Sequence, residues 1–466
     1  MNREITISPK GEATILDILR ENNIFPQAPC NGRHTCGKCK VRLLYGNIEA
    51  GELENKHLTQ KEIDSGIILA CAHIPSEMIR VEILDDKNLT PILTETNTNL
   101  PLFSDYYSDK NNVFAAFDLG TTTIAAKLIK NGNIIHTASK INSQTAYGAD
   151  VISRSEASIN GKSEELCNCL IDDIDSMLEE FPITPTNLIF CGNTTIIHLL
   201  NNFPCDGLVK YPFTPYKTGY IKQSFMCNSG AVLPCTILPN LSAYIGGDII
   251  SGLFSLDFHL NNEINLFIDL GTNGEMALGN KSRILTASAA AGPAFEGTAL
   301  NVATDVIKCI STLLTEGIID ENGLLKDPYF DEGYPYKTGT GSDDYVIIRE
   351  DDIRNIQMAK SAIASGIALL IRHYGISFSD ISNVFLAGGM GYSLDSNSAA
   401  NIGLIPWELK NKIKPVGNSA LAGCIKYAST GYNDSAINKL LSVSDELILG
   451  NEPEFRDLYF ENMLFS

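Results

Sequence analysis

Positive charge is scarce in this sequence, and its scarcity excludes several classes of protein. Lysine and arginine together number 35, against 55 aspartates and glutamates, so the formal net charge is −20. Binding to nucleic acid and docking on an anionic membrane both depend on clustered basic side chains. The composition therefore argues against a nucleic-acid partner and against a membrane partner.

Long apolar runs are missing as well. No stretch of about 18 apolar residues occurs, so no membrane-spanning helix is predicted. The start of the chain, from Met1 to Ile5, lacks the apolar segment of a signal peptide, and we therefore expect a cytoplasmic protein. Thiols stay reduced in that compartment, so tightly spaced cysteines among the 12 indicate metal binding rather than disulfide bonds.

The 466 residues exceed what one core usually organises, and the chain divides into three stretches. Residues 1–86 contain the clustered cysteines and short alternating apolar runs. Residues 87–112 are polar, contain Pro91 and Pro101, and predict a flexible linker. In residues 113–466 strand patterns alternate with helical ones, which predicts an α/β domain.

Four cysteines of the first stretch have the spacing C-x5-C-x2-C-x31-C. They are Cys30, Cys36, Cys39 and Cys71. Thiolates on one glycine-containing loop, completed by one distant cysteine, suit a 2Fe-2S cluster. A zinc site is the alternative, but such sites usually show two C-x2-C pairs, and this stretch has one. His34 lies inside the loop and is not needed as a ligand, and the remaining eight cysteines are interpreted as ordinary buried or half-buried thiols.

The residues around the cysteines predict a small sheet with one helix. Residues 5–7 and 13–15 predict a hairpin, residues 16–22 a helix, and residues 40–44 and 81–83 two further strands. Together with the cysteine spacing, this pattern resembles a β-grasp ferredoxin of the type with five residues between its first two cysteines.

An internal repeat organises residues 113–466. An apolar strand that ends in Asp118 and a Gly-Thr turn recurs as a strand that ends in Asp269 and a second Gly-Thr turn. In each copy a second apolar strand, a hairpin turn and a third strand follow, the third strands being residues 134–139 and 283–288. The repeat predicts two β-meanders that begin two halves of one domain, at about 113–242 and 243–466.

The two Asp-x-Gly-x-Thr turns predict a nucleotide site. Backbone N–H groups and a hydroxyl in such a turn surround an anion, and the aspartate can hold Mg²⁺, usually through water. A buried strand, residues 383–387, then runs into a third glycine-rich turn where the backbone can approach a purine. One such turn could be a plain hairpin, whereas the three together predict ATP binding. The predicted nucleotide contacts are Gly120, Thr121, Thr122, Gly271, Thr272, Asn273, Gly274, Gly388 and Gly389.

These motifs match those of a known superfamily. Residues 113–466 resemble the acetate and sugar kinases, heat-shock chaperones and actin: Asp118–Thr122 match the first phosphate motif, Asp269–Gly274 the second, and Gly388–Gly391 the adenosine motif. The resemblance implies an actin-like ATPase domain with two ribonuclease-H-like lobes and ATP between them. It does not name a reaction.

The fusion of a ferredoxin-like domain to an ATPase-like domain narrows the range of functions that the superfamily allows. The whole chain resembles the reductive activators of corrinoid proteins, also along residues 146–154, 192–198, 245–248 and 287–297. This resemblance implies that ATP drives the conversion of inactive Co(II) corrinoid to Co(I) for methyl transfer, with one electron from the cluster. It implies a corrinoid protein and a low-potential electron donor as partners, and it allows a homodimer.

Four carboxylates are the predicted catalytic groups. Asp118 and Asp269 are expected at the phosphates and Mg²⁺, while Asp248 and Glu275 are candidates to order the attacking water, with ordinary capping as the alternative. Outside these four, Asp150 has a supporting role or pairs with Arg154 four residues on. His198 is interpreted as a helix core or capping residue.

One helix and one loop complete the expectations. A helix is predicted from Asp351 or Asp352 to Gly375, with small residues that indicate close packing. The loop of residues 288–297 is interpreted as a tight packing loop, with contact to a flat corrinoid as the alternative.

Other functions remain open at this level. A small-molecule kinase with an appended redox domain would leave the cluster unexplained. A radical-type activator of a dehydratase shares its cluster between two subunits, which four cysteines in one domain do not suggest. An actin-like or chaperone-like ATP-dependent scaffold would not need a cluster.

Overall fold

The computed structural model describes most of the two predicted domains. The described residues are 3–22, 24, 26, 28, 32, 34, 37–84, 113–271, 273–292, 303–337, 345–388 and 394–465. The predicted linker and four predicted site residues lie outside them, namely Cys30, Cys36, Thr272 and Gly389.

The N-terminal part is a four-stranded sheet with three short helices. Its strands are β1 (Arg3–Ile7), β2 (Lys40–Tyr45), β3 (Ile67–Leu69) and β4 (Ile79–Ile83). They lie in the order β1-β4-β2-β3, and each neighbouring pair is antiparallel. The helices are α1 (Ile15–Glu21), α2 (Glu52–His57) and α3 (Gln60–Asp64). A buried apolar core that includes Leu16, Val41 and Val81 joins α1 to the sheet. The predicted helix and three of the predicted strands, residues 5–7, 40–44 and 81–83, are confirmed.

The predicted strand at residues 13–15 is wrong. Thr14 instead begins α1: its side chain accepts the N–H of Asp17, and Asp17 Oδ2 accepts the N–H of Thr14 at 3.0 Å. This reciprocal capping box satisfies two backbone donors at the helix start and turns the chain into α1.

The first half of the C-terminal domain has a six-stranded sheet in the order β7-β6-β5-β8-β10-β9. The strands are β5 (Val113–Leu119), β6 (Thr123–Lys130), β7 (Asn133–Ile141), β8 (Asn187–Gly192), β9 (Ile221–Met226) and β10 (Val232–Ile237). The helices are α4 (Val151–Ala157), continued by a π-type turn (Ser158–Lys162), α5 (Ser163–Glu179), α6 (Thr194–Leu200) and α7 (Asp206–Val209).

The second half has a sheet of the same design, in the order β17-β16-β11-β12-β13-β18, and a separate pair, β14 and β15. The strands are β11 (Ile264–Leu270), β12 (Gly274–Asn280), β13 (Arg283–Ala289), β14 (Tyr334–Lys337), β15 (Tyr345–Ile348), β16 (Ile381–Ala387), β17 (Ile413–Gly417) and β18 (Ser444–Glu446). The helices are α8 (Gly247–Ser255), α9 (Ala303–Thr315), α10 (Glu350–Tyr374), α11 (Ser396–Asn401), α12 (Ser419–Ser429), α13 (Asp434–Ser442) and α14 (Phe455–Glu461).

The two sheets confirm the predicted internal repeat. Strands β5-β6-β7 and β11-β12-β13 are both antiparallel meanders, and each first strand has a parallel neighbour on its other side, β8 or β16. Asp118 and Asp269 therefore occupy equivalent positions near the ends of β5 and β11.

Helices α8 and α12 pack between the two sheets. A buried core that includes Phe114 of the first sheet and Phe267 of the second encloses them. The helices approach at two glycines: a Cβ on Gly252 would lie 2.8 Å from Ser419 Oγ, and one on Gly423 would overlap the Ser251 carbonyl oxygen. This close approach requires residues without a side chain.

The predicted long helix is confirmed as α10, with its start one residue before Asp351. Asp352 accepts the N–H of Arg349 at 3.0 Å, and Gly375 ends the helix in the left-handed conformation, with φ of 80°. Across the described ranges, we find no helix with the length and apolar character that a bilayer crossing requires.

Candidate functional site

The two phosphate turns lie at the carboxyl ends of paired parallel strands. Asp118 of β5 is opposite Cys191 of β8, and Asp269 of β11 is opposite Ala387 of β16. Carboxyl ends of parallel strands and the turns after them form the usual ligand crevice of an α/β sheet. The repeat therefore places an aspartate at an equivalent strand end in each half.

The four predicted catalytic carboxylates interact with one another. Burial and the neighbouring Asp248 raise the pKa of Asp118 to about 7, and burial raises the pKa of Asp248 to about 6. Burial, followed by the carboxylates of Asp248 and Asp269, holds the pKa of Glu275 well above its usual range. These pairwise influences link the four groups into one acidic site, where a bound cation would favour their ionised forms.

Asn418 contacts this acidic site and was missed by sequence reasoning. Its Nδ2 donates to Asp118 Oδ2 at 2.7 Å, while its Oδ1 accepts the N–H of Leu421 at 2.7 Å and so caps α12. Asparagine before a helical stretch is a recognisable cap signal. Its contact with Asp118, 300 residues earlier in the chain, has no local signal.

Tight packing places Asp248 beside the end of β8. A Cβ on Gly246, the residue before α8, would lie 2.7 Å from both Asn193 Cα and the Gly192 carbonyl oxygen. Asn193 in turn caps α6 by accepting the N–H of Thr195 at 2.9 Å. The starts of α6 and α8 therefore meet, with Asp248 in the first turn of α8.

The turn at Gly388, predicted to contact adenosine, lies against the predicted second phosphate turn. Gly388 has φ of 86°, and a Cβ there would lie 2.6 Å from Asp269 Oδ1 and from the Leu270 carbonyl oxygen. In the second phosphate turn itself, the Gly271 N–H donates to the Asn273 carbonyl at 2.9 Å. The turn at Gly388 thus needs glycine for both its conformation and its contacts.

A second asparagine that sequence reasoning missed braces the first phosphate turn. Asn142 is fully buried, and its Nδ2 donates to the Gly120 carbonyl at 2.9 Å. Its backbone N–H donates to the Thr122 carbonyl, also at 2.9 Å. These bonds fix the loop that carries the predicted phosphate contacts Gly120, Thr121 and Thr122.

The described part of the cysteine cluster fits an iron–sulfur centre. Cys39 and Cys71 are both buried, and the Cys71 N–H donates to Cys39 Sγ at 3.4 Å. Amide hydrogen bonds of this kind stabilise thiolates that hold a cluster. Gly37 has φ of 61°, and a Cβ there would lie 2.5 Å from His57 Cβ, so the loop requires glycine. His34 contacts the Cys71 carbonyl through Nε2 at 3.0 Å.

Three other interpretations can be checked in the structure. Asp150 caps α4 by accepting the Ser153 N–H at 2.7 Å, and Arg154 is buried and donates to the Gly148 carbonyl at 2.8 Å. His198 is fully buried and donates from Nδ1 to the Thr194 carbonyl at 2.8 Å, which confirms it as a core residue. The eight scattered cysteines are buried or half-buried, as expected. Residues 293–297, half of the loop of residues 288–297, lie outside the described residues.

Three family models match the chain in succession. The 2Fe-2S iron-sulfur cluster binding domain matches residues 1–76, and the RACo middle region matches residues 114–261. The C-terminal domain of RACo, described as its ASKHA domain, matches residues 263–304 and 302–466. The last two models together cover more than half of the chain.

Two relatives of the chain have names that refer to corrinoid proteins. The chain is 27% identical over 417 residues to the corrinoid activation enzyme RamQ of Eubacterium limosum, covering 75% of this chain and 70% of that protein. It is 25% identical over 374 residues to the Co(II) methylated amine-specific corrinoid protein reductase of Methanosarcina barkeri, covering 66% and 68%. These names do not favour the kinase, dehydratase-activator or scaffold alternatives.

A solved structure shares the fold over nearly the whole length. It is named a reductive activator for corrinoid, iron-sulfur protein, and it matches with a TM-score of 0.70 and 23% identity, covering 99% of this chain and 96% of that chain. That likeness concerns the fold. By the two RACo models, the chain belongs to the RACo family of reductive activators of corrinoid proteins, with an iron–sulfur domain followed by an ATP-binding, actin-like ASKHA domain.

Proposed function

We propose that this protein uses ATP to activate a corrinoid protein reductively, converting inactive Co(II) corrinoid to Co(I). The observation that carries the proposal is that one chain contains two sites. In the first, the buried residues Cys39 and Cys71 are joined by a hydrogen bond from the Cys71 N–H to Cys39 Sγ. In the second, Asp118 and Asp269 lie near the carboxyl ends of paired parallel strands. The names of the two relatives from Eubacterium limosum and Methanosarcina barkeri support the same activity.

The N-terminal domain would hold the cluster through Cys30, Cys36, Cys39 and Cys71. A bound 2Fe-2S cluster supplies one-electron transfer. The chain itself contributes the turn around Cys71, whose N–H donates to Cys39 Sγ. Such a donor offsets the negative charge of a thiolate ligand. A low-potential donor protein would deliver the electron to this domain.

The C-terminal domain would bind Mg²⁺ and ATP between its halves. Asp118 and Asp269 would contact Mg²⁺ through water. The turns at Gly120–Thr122 and Gly271–Gly274 would bind the phosphates, and the turn at Gly388 and Gly389 would contact the adenosine. The pKa values of Asp118 and Glu275 are raised first by burial and then by neighbouring carboxylates, and a bound cation would stabilise the ionised forms against both effects.

Of the two candidates to order the attacking water, we assign the role to Asp248, which lies in the first turn of α8 beside the end of β8. A general base works best with a pKa near the operating pH, and the pKa of Asp248 is raised to about 6 by burial. In the step, the water oxygen bonds to the γ-phosphorus, the bond from that phosphorus to the ADP oxygen breaks, and the proton passes to Asp248. Glu275 would assist by hydrogen bonding.

Coupling between ATP and the corrinoid would run through the contact of the two halves. Plant-type ferredoxins have reduction potentials of about −400 mV. For transfer of one electron to an acceptor of lower potential, each ~59 mV of difference lowers the equilibrium constant tenfold. ATP assists only by binding two states of the protein differently. The bond from Asn418 in one half to Asp118 in the other makes the first phosphate turn sensitive to the relative position of the halves.

The test is ATP hydrolysis by anaerobically purified, cluster-loaded protein, with and without a Co(II) corrinoid protein, together with absorbance of Co(I). We expect hydrolysis to rise with the corrinoid protein and Co(I) to form only with ATP and a reductant. Hydrolysis that ignores corrinoid proteins of several methyl-transfer systems, with no Co(I), would overturn the proposal. Size-exclusion chromatography of the same samples would distinguish a monomer from a homodimer.

A further inference from the structure

A carboxylate is completely buried in the iron–sulfur domain. Glu54, in α2, has 0% of its surface exposed. Burying a carboxylate is costly unless hydrogen bonds compensate for the lost water. Burial alone would raise the pKa of Glu54, but hydrogen bonds from Leu69, Gly51 and His73 outweigh it and lower the pKa, so the group is ionised at neutral pH.

The partners of Glu54 flank the predicted cluster ligand Cys71. Glu54 Oε1 accepts the backbone N–H of Leu69 at 3.1 Å and contacts His73 Nε2 at 2.8 Å. Leu69 and His73 are each two residues from Cys71, on opposite sides. One carboxylate oxygen therefore holds both ends of the turn that presents the thiol, while Oε2 accepts the Gly51 N–H at 3.0 Å.

The same turn is anchored from two other directions. The Ala70 N–H donates to the Cys39 carbonyl at 2.8 Å, which ties the turn to the cysteine loop. At the start of α1, the Leu16 N–H donates to the Ala70 carbonyl and the Ile15 N–H to the His73 carbonyl, both at 2.9 Å. Within this frame of backbone bonds, Glu54 contributes a carboxylate that is shielded from water and bonded to both flanks of Cys71.

We propose that Glu54 is a positioning residue that fixes Cys71 for the cluster and lowers the cluster's reduction potential. The proposal rests on the proposed function, because it assumes that Cys71 is a cluster ligand. Reduction adds negative charge to the cluster, and a fixed anion nearby opposes it strongly where the local dielectric is low. A cluster that is harder to reduce is the stronger donor, as reduction of Co(II) requires.

The experiment compares Glu54→Gln with Glu62→Gln in the full chain. Glu62 is a matched control, because it occupies the same capping position of the neighbouring helix α3 and accepts the Thr59 N–H at 2.8 Å, but its other partner is Lys40. The readouts are the midpoint potential from an EPR-monitored redox titration and the rate of iron loss to a chelator. We expect Glu54→Gln to favour the reduced cluster by tenfold or more, which is ~59 mV for one electron, and Glu62→Gln to remain within about twofold of the parent.

A second variant separates charge from position. Glu54→Asp keeps the charge but shortens its reach, so we expect faster iron loss with a smaller change in potential than in Glu54→Gln. Complete loss of the cluster from Glu54→Gln, with normal secondary structure and a normal cluster in Glu62→Gln, would support the positioning role. Unchanged potential, EPR spectrum and iron retention in Glu54→Gln would overturn the proposal. Failure of the parent protein to hold a 2Fe-2S cluster would instead contradict the proposed function.

Discussion

Asn418 donates a hydrogen bond from Nδ2 to Asp118 Oδ2 at 2.7 Å, which links the second half of the ATP-binding domain to the first phosphate turn. The same asparagine caps α12, the helix that packs between the two sheets. Any shift of α12 must therefore move a donor away from the predicted Mg²⁺ carboxylate or rotate the carboxylate with it.

We expect Asn418→Ala to lower ATP hydrolysis about 10- to 100-fold, since a hydrogen bond to a charged group contributes about 1.5–3 kcal/mol. Loss of the helix cap will also reduce the free energy of unfolding by about 1 kcal/mol. The matched control is Asn433→Ala, because Asn433 caps α13 through the Ala436 N–H at 3.1 Å. Equal losses of ATPase rate in both variants would show that the cap, and not the contact with Asp118, is responsible.

Gly388→Ala is expected to weaken ATP binding by about tenfold or more, because the new Cβ would lie 2.6 Å from Asp269 Oδ1. Gly375→Ala is the control: Gly375 has a similar φ of 80°, but a Cβ there has no neighbour within 4 Å. Both variants suffer backbone strain of about 1–2 kcal/mol, measured by urea unfolding. Only Gly388→Ala should change the Kd for ATP in calorimetry, and the idea fails if Gly375→Ala changes it as much.

The acidic site predicts how the nucleotide-free protein responds to pH. The pKa of Asp118 is raised to about 7 by burial and by Asp248, so the folded state binds a proton more tightly than the unfolded state. The resulting stability is complete below pH of about 4 and is lost as the pH rises through about 7. In the nucleotide-free protein, Asp118→Asn should therefore flatten the decline in melting temperature between pH 5 and pH 8, measured relative to the parent. If the melting temperatures of the two proteins fall in parallel with pH, this account is contradicted. In a separate measurement at pH 7.5, Mg²⁺ should raise the melting temperature of the parent more than that of Asp118→Asn.

Substitution of a proposed cluster ligand should remove the cluster. Cys71→Ser is expected to lower the iron content and abolish both the EPR signal of the reduced protein and formation of Co(I). Cys235→Ser is the control, because Cys235 is a buried thiol in β10 of the other domain. A normal EPR spectrum in Cys71→Ser would exclude Cys71 as a ligand.

Turns and helix ends could be predicted from the sequence, because they are determined by residues close together in the chain. The repeated turns at Asp118 and Asp269 and the long helix ending at Gly375 were predictable, because turn and cap residues act on their immediate neighbours. The strand predicted at residues 13–15 failed because the capping box of Thr14 and Asp17 outweighed the alternating pattern.

Contacts between distant residues could not be predicted in the same way. Asn418 meets Asp118, and Glu54 meets both flanks of Cys71, only after the sheets and helices have assembled. Neither side chain differs in sequence context from an ordinary helix cap. The domain boundaries at 86 and 112, the full ligand set and the Mg²⁺ contacts stay predictions.

The glycine contacts between α8 and α12 limit which side chains these two helices can carry where they meet. At Gly252 and Gly423 the helix backbones already touch neighbouring atoms, so a Cβ at either position would require a shift of one helix. Because Asn418 caps α12 and also donates to Asp118, a shift of α12 would displace that donor. A single methyl group added at this crossing would therefore alter the first predicted phosphate turn, which lies in the other half of the domain.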